Sequence, residues 1–359
     1  MANDSLKITL FCGGTGTRLW PMSTPDRPKQ FQPLIDGRST FQIMVDSLKT
    51  AFSADDIFPV SPRKYIGLIV EQAPDIPLEN IIVEPEARDT LGAVGFATVF
   101  LAKKFGDPII ASIWSDHLIS NTEGFGQALK TAAKIANRDN KMVRVGVRPT
   151  YPSTGLGYMQ VGKMVEKLDD MAVFDYVKHF EKPELKTAKK FMESWEYLWH
   201  IGYNVWHASL MMSFFEKYNK ESFDILKKIE TDEDMRSGSK GTLELYQKIP
   251  KMSVDFGVFE HLPPEQQIVI SADLGWSDVG TWDVLKNELA KTEEENVSQG
   301  NVVAVEAHNN LLYSQDPNKT LAVIGVSGLV VVDTPEATLV VPQNRSQEVK
   351  KLVDKIKRD

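Results

Sequence analysis

From residue 6 to residue 147, short apolar, β-branched runs alternate with stretches of helical spacing, and this alternation constrains the fold more than any other feature. Leu6 to Cys12, Ile81 to Val83, Pro108 to Trp114 and Met142 to Val147 read as strands. Ser39 to Phe52 reads as a helix with Phe41, Met44, Val45 and Leu48 on one face. Thr90 to Phe105 reads as a largely buried helix, and Gly124 to Ala136 as another. A strand followed repeatedly by a helix returns each strand parallel to the last, with helices on both faces. The expected class is therefore α/β, Rossmann-like, with a mostly parallel central sheet. Such sheets bind ligands at the carboxyl ends of their strands. The glycines after Cys12 and the aspartate after Ser115 both fall at such ends.

The middle of the chain, Tyr158 to Trp282, mixes both periods, with a strand at Val173 to Phe180 and a helix at Pro183 to Trp195. The last third changes character. Gly300 to Pro342 carries short β runs and turn residues with almost no helical period, and Ser346 to Lys357 reads as a closing amphipathic helix. The boundary is placed in the charged stretch near residues 291–300. This predicts a body of residues 1–295 and a small β-rich, β-helix-like domain of residues 296–359. With 42% hydrophobic and 25% charged residues the chain is ordinary for a globular protein. Its net charge of −8 argues against a nucleic-acid or acidic-membrane surface, but leaves room for a small basic pocket. No apolar run reaches the roughly 18 residues of a membrane helix. The polar start shows no signal peptide, and the single cysteine, Cys12, fits a reducing cytoplasm.

Residues 13–18 read Gly13-Gly14-Thr15-Gly16-Thr17-Arg18. Glycines let successive backbone N–H groups turn inward around an anion. This is neither a Walker A loop, since no Gly-Lys-Ser/Thr follows, nor Gly-x-Gly-x-x-Gly, since Leu19 stands at the third glycine. The second mismatch argues against a dinucleotide-binding oxidoreductase. Arg18 and Lys29 supply fixed positive charge for phosphate oxygens, the bland alternative being a structural turn with two solvated cations. Cys12 reads as a small buried residue rather than a nucleophile.

The run from Gly13 through Leu19-Trp20-Pro21, followed by Pro28-Lys29-Gln30-Phe31, resembles the signature of the mannose-1-phosphate guanylyltransferases. Other sugar nucleotidyltransferases usually differ at the Trp and the Gln-Phe. Glu84-Pro85-Glu86-Ala87-Arg88-Asp89-Thr90 resembles the family's nucleotide-base segment, with Asp89 where Asn is usual. Ser115-Asp116-His117 and Gly275-Trp276-Ser277-Asp278-Val279-Gly280-Thr281-Trp282 resemble its two magnesium segments. The resemblance implies Asp116 and Asp278 as ligands of Mg2+, with His117 structural, since magnesium prefers oxygen donors. It implies nucleotide contacts from Gly13, Gly14, Thr15, Gly16, Thr17, Arg18, Lys29, Glu84, Arg88, Asp89 and Thr90. It implies sugar contacts from Gly157, Glu181, Lys182 and His200. Arg18, Lys29 and Lys182 would do the catalytic charge neutralisation.

Three positions depart from the family. Asp89 also reads as a cap of the helix beginning at Thr90. Leu156 replaces a Tyr, and His200 stands where an Asn is expected to bond the sugar. The segment Val254-Asp255-Phe256 resembles Ile-Asp-Tyr. The tail from Gly300 to Val353 also resembles the family's small carboxyl-terminal domain, and no isomerase domain is expected after it. The implied reaction joins mannose 1-phosphate to GTP by in-line displacement at the α-phosphorus, with no protein nucleophile needed. The departures keep two rivals open: the same chemistry on another sugar or base, and a sensor built on the same fold. By the same resemblance the β-rich tail is a candidate dimer contact, so a homodimer is one expectation.

Overall fold

The computed structural model describes residues 6–14, 16–233, 235 and 239–356. Contacts divide the chain into two compact units. One holds residues 1–13, 45–115 and 119–276, and the other residues 14–44, 116–118 and 277–359. Along the chain the strands are β1 (Lys7–Phe11), β2 (Ile57–Pro62), β3 (Ile82–Glu84), β4 (Ile109–Trp114), β5 (Leu118–Ile119), β6 (Met142–Val147), β7 (Gly157–Leu168), β8 (Met171–Phe180), β9 (Tyr197–His207), β10 (Gln267–Ser271) and β11 (Trp276–Ser277). The tail adds β12 (Val297–Gln299), β13 (Val302–Val305), β14 (Leu311–Ser314), β15 (Leu321–Ile324), β16 (Leu329–Asp333) and β17 (Thr338–Pro342). The helices are α1 (Thr40–Lys49), α2 (Ile66–Gln72), α3 (Asp89–Phe105), α4 (Thr122–Asp139), α5 (Leu185–Ser194), α6 (Ala208–Tyr218), α7 (Lys220–Glu230), α8 (Lys240–Tyr246), α9 (Val254–Gly257), α10 (Trp282–Leu289) and α11 (Val349–Ile356). Among the described residues no helix is long and apolar enough to cross a membrane.

The first unit is built on a nine-stranded sheet of order β3-β2-β1-β4-β9-β6-β10-β8-β7. The α/β class holds, and the alternation at the start of the chain yields the parallel block β3-β2-β1-β4. Beyond β4 the sheet is mixed. β9 runs antiparallel to both β4 and β6, and β7 and β8 form an antiparallel hairpin. The physical reason is connectivity: β7 and β8 follow each other through a two-residue turn at Asp169 and Asp170, both at positive φ, so no crossover helix can make them parallel. β9 is long enough to pair with β4 at one end and with β7 at the other. From Leu91 to Leu101 helix α3 is buried all round and lies in the core with α6 and α7, as a segment without a charged face must. The Ser115 amide donates to the Phe11 carbonyl at 3.1 Å, which extends the β1–β4 ladder past both strand ends.

Two helix readings shift. The helix expected at Pro183 to Trp195 begins at Leu185, with Glu184 extended before it, so Pro183 is not its first residue. The closing helix splits into a 3-10 turn at Gln343–Glu348 and α11, and Lys357 lies outside the described residues.

The second unit is organised by the tail. β12, β14 and β16 stack in parallel, β17 closes antiparallel, and β13 pairs with β15 in a second parallel ladder. Successive short parallel strands with turns between them form the β-helix that the tail pattern predicts. Buried Asn310 holds one corner: its amide donates to the Asn296 side chain at 2.9 Å and to the Val326 carbonyl at 3.0 Å. Leu311, Tyr313, Val330 and Val332 alternate inward and share one core with Leu19, Val279 and Trp282. Fragments from three parts of the chain therefore have one apolar centre.

Candidate functional site

In the second unit the loop after β1 is shaped by backbone constraints. Gly14 and Gly16 have φ of 95° and 57°, in the left-handed region that favours glycine. A Cβ on Gly16 would also fall 2.6 Å from both Cβ and Cγ of Lys29, so this glycine lets the lysine cross the loop. Thr15 lies outside the described residues. Thr17–Leu19 form a 3-10 turn, which exposes Arg18 and buries Leu19. The Arg18 guanidinium donates to Gln347 at 3.0 Å. Gln30 and Phe31 are fully buried, Phe31 with its ring 5.1 Å from Phe41, so they shape the loop rather than line a site.

Lys29 pairs with Asp116 at 2.8 Å, and both side chains keep partial exposure. Burial works to raise the Asp116 pKa, but the charges of Lys29 and His117 outweigh it and hold the carboxyl below its ordinary value. His117 goes the other way. Burial lowers its pKa against the pull of both Asp116 and Asp278, so the imidazole is neutral near pH 7. His117 thus senses both of the candidate metal carboxylates.

Asp278 is half-buried, and its loop is held under strain. Val279 has φ of 37°, a genuine outlier for a β-branched residue, and is buried in the core. A Cβ on Gly280 would fall 2.9 Å from an Asp278 carboxylate oxygen, so glycine keeps that oxygen clear. Trp282, fully buried, opens α10 and donates from Nε1 to the Trp20 carbonyl at 3.1 Å. The Asp278 loop and the glycine loop are therefore tied by one indole. Among the described residues no three His, Cys, Asp or Glu groups converge as a metal cage. Two carboxylates beside a neutral imidazole suit a hard cation that takes its remaining oxygens from substrate phosphates.

The first unit carries the other predicted residues in two clusters. In one, Glu84 ends β3, is 7% exposed, and accepts from the Tyr246 hydroxyl at 2.8 Å. Burial pushes its pKa up to about 7 despite that bond and the Arg88 amide. Gly92 makes this possible, since a Cβ there would meet the Tyr246 hydroxyl at 2.6 Å. Arg88 pairs with Glu86 at 2.9 Å. Asp89 does open α3, but at φ 59°, with its carboxylate accepting only from the next amide, Thr90, at 2.7 Å. Asn and Asp are the side chains that best tolerate this conformation. Thr90 accepts from the Val254 amide at 2.8 Å and so anchors α9, which carries Asp255.

The second cluster lies where β7, β8 and β9 meet. The Cα of His200 on β9 stands opposite Gly157 of β7 and Gly146 of β6. A Cβ on Gly157 would fall 2.6 Å from the His179 ring and 2.9 Å from a Glu181 oxygen. His179 holds the Glu181 carboxylate at 3.1 Å, and Lys182 pairs with its other oxygen. The His179 bond first, and Lys182 after it, keep the Glu181 carboxyl at about 2 against burial. Lys182 has φ of 44° and is largely exposed. The structure thus brings Gly157 and Glu181 around His179, a residue that no sequence motif singles out. Its signal in the chain is its spacing, two residues before Glu181. Asp255 falls in a matched segment that assigns it no role, and it bonds His200 at 3.2 Å.

The nucleotidyl transferase family matches residues 7–295, and the family described as a MannoseP isomerase/GMP-like beta-helix domain matches residues 300–356. A mannose-1-phosphate guanylyltransferase of Escherichia coli is 32% identical over 100% of this chain and 75% of its own length. A xanthan biosynthesis protein of Xanthomonas campestris is 32% identical over 99% of this chain and 74% of its own. Among solved structures, a protein of Thermus thermophilus described as a mannose-1-phosphate geranyltransferase superposes with a TM-score of 0.85 at 28% identity, covering 98% of this chain and 99% of that one. The chain therefore spans about three quarters of the length of these curated relatives.

Proposed function

Since the chain belongs to the nucleotidyl transferase family, among the mannose-1-phosphate guanylyltransferases, we propose that it joins mannose 1-phosphate to GTP, giving GDP-mannose and pyrophosphate. An oxygen of the sugar phosphate attacks the α-phosphorus of GTP in line, and the bond to the β-phosphate oxygen breaks. A sugar phosphate is already anionic near neutral pH, so the protein's task is positioning and charge neutralisation. The observation that carries the reading is the Lys29–Asp116 pair, with Lys29 packed against Gly16 of the glycine loop and His117 feeling both Asp116 and Asp278.

In this reading backbone amides from Gly13 to Thr17 cradle the triphosphate, and Arg18 and Lys29 neutralise its oxygens. Glu84, Arg88, Asp89 and Thr90 form and brace the base segment. Gly157, Glu181 and His200 meet the sugar, and Lys182 meets its phosphate. Asp116 and Asp278 would hold the divalent ion, for which we propose Mg2+; when bound, it neutralises charge on the phosphate oxygens. Lys29 then exchanges part of its pairing with Asp116 for a phosphate oxygen. Residues 1–295 would form the catalytic domain and 296–359 the β-helix domain, whose core takes in Leu19, Val279 and Trp282. A cytoplasmic setting and a homodimer belong to the same reading, the first supported by the lone buried thiol of Cys12.

The test is pyrophosphate release from GTP and Mg2+, with mannose 1-phosphate, with glucose 1-phosphate, and with neither. Release that requires mannose 1-phosphate is the expected result. Release with glucose 1-phosphate alone would replace the sugar, and GTP binding without release from either would favour a sensor.

A further inference from the structure

Two buried ring nitrogens where β7, β8 and β9 meet have no hydrogen-bond partner among the described residues: Nδ1 of His179 and Nδ1 of His200. The two rings lie edge to face with centroids 5.1 Å apart. Each turns its other nitrogen, Nε2, to a carboxylate, Glu181 at 3.1 Å and Asp255 at 3.2 Å. An ionised carboxylate only accepts hydrogen bonds, so each Nε2 is the donor. In the neutral ring that leaves Nδ1 as a bare lone pair.

For His200 the neutral form is the one present near pH 7, because burial lowers its pKa more than Asp255 raises it. Asp255 stays ionised beside it. Burial pushes that carboxyl up, but His200, Arg144 and His179 together bring it down to about 2. Arg144 is itself fixed, bonded to Gln267 at 2.7 Å and lying over the Tyr176 and Phe259 rings. Buried acceptors without donors are uncommon in folded proteins and call for a partner from outside the chain. Gly157 lies tight against the pair: a Cβ there would fall 2.6 Å from the His179 ring and 2.9 Å from Glu181, so glycine is what lets these side chains approach β7.

We propose that His179 and His200 form a pair of acceptors for hydroxyl hydrogens of the hexose, and that Asp255 is the positioning residue that fixes the His200 tautomer. The inference rests on the sugar 1-phosphate reading above and adds what the sugar must offer. The asparagine that the family resemblance leads one to expect at position 200 brings both a donor and an acceptor. The histidine brings an acceptor alone. The corner therefore selects a sugar that points a hydroxyl donor at it, over one with a deoxy or O-methyl group there.

The experiment uses the full chain with 15N-labelled histidine. Long-range 1H–15N spectra of the free protein should show His200 protonated at Nε2, and mannose 1-phosphate should move its Nδ1 resonance. An Nδ1-protonated His200, or an Nδ1 resonance that saturating mannose 1-phosphate leaves in place, would overturn the proposal. Kinetics add a second readout. Across monodeoxy analogues of mannose 1-phosphate, one should lose about 10- to 100-fold in kcat/KM with the native chain. That penalty should shrink to within a few-fold in His200→Phe, while the Kd for GTP stays put. An unchanged penalty counts against the acceptor role. Asp255→Asn should raise the KM for mannose 1-phosphate about tenfold, change kcat less, and give His200 mixed tautomers; a purely structural Asp255 would leave the tautomer alone. Failure of the native chain to use mannose 1-phosphate would sink the substrate reading, whereas the tautomer in the free protein judges the acceptor pair by itself.

Discussion

The Lys29–Asp116 corner of one unit and the His200–Asp255 corner of the other each pair a base with an aspartate, but they are built differently. The first is shaped by main chain. Gly16 clears the path of Lys29, Val279 sits at φ 37° beside Asp278, and Leu19, Val279 and Trp282 pin the loops into a common core. The second rests on side-chain pairs reaching from strands to neighbouring elements: His179 of β8 to Glu181 just past it, and His200 of β9, with glycines opposite it, to Asp255 of α9. Strained backbone stays in place only when its surroundings over-determine it, so the first corner tolerates little substitution. A pairing made by side chains can be exchanged with less disturbance of the main chain than a strained loop allows. Under the proposed function, the phosphate-facing chemistry would be set by the fold and the sugar preference by a few exchangeable groups.

Removing one charge from each corner tests that contrast most sharply. Asp278→Asn should lower turnover on the order of a thousandfold while the melting temperature shifts little. Asp255→Asn should act mainly on KM for the sugar phosphate. Unchanged turnover of Asp278→Asn at saturating Mg2+ would remove Asp278 from the metal site and dissolve the comparison. A smaller effect comes from Gly16→Ala. Its Cβ would meet Lys29 at 2.6 Å, at a φ that disfavours any L side chain. We expect turnover to fall about 10- to 100-fold with a stability loss of about 1 kcal/mol. Wild-type turnover in a stably folded Gly16→Ala chain would mean that the main chain does not set the Lys29 position.

The subtlest effect lies in the base segment. Glu84 has its pKa raised by burial from 4.5 to about 7. A raised carboxyl contributes stability that is fully present below the unfolded value and lost as pH rises through the folded one. Between pH 4.5 and 7 the native chain should therefore lose stability relative to Glu84→Gln, which does not titrate, by at most about 3 kcal/mol. Denaturant midpoints of both chains at pH 4.5, 6 and 8 give the comparison. Parallel curves would place the Glu84 carboxyl in contact with water.

Much of this is legible along the chain, and the misses have physical causes. The period of the first 147 residues reveals β1, β3 and β4 of the parallel block, whereas β2 goes unread because Pro59 and Pro62 interrupt its pattern. The mixed half of the sheet is not legible, because β9 takes its partners from distant β4, β6 and β7, its β4 partners being more than 90 positions away. Pro183 looks like a helix start, yet Lys182 at φ 44° shows the turn ending later than local chemistry suggests. Asp89 looks like a cap, and its backbone conformation explains the Asp/Asn choice better than capping does.

By itself, the sequence determined the α/β class and the β-rich tail through local period, and it offered the candidate phosphate and metal groups through motifs that resemble the family's. Only the tertiary structure decided that the glycine loop, Asp116 and Asp278 share one unit with the tail, and that His179 and Asp255 flank His200. Those relations depend on burial and on contacts between distant segments. A burial that makes a histidine neutral and a carboxyl at Glu84 titrate near 7 does not exist until the chain has folded.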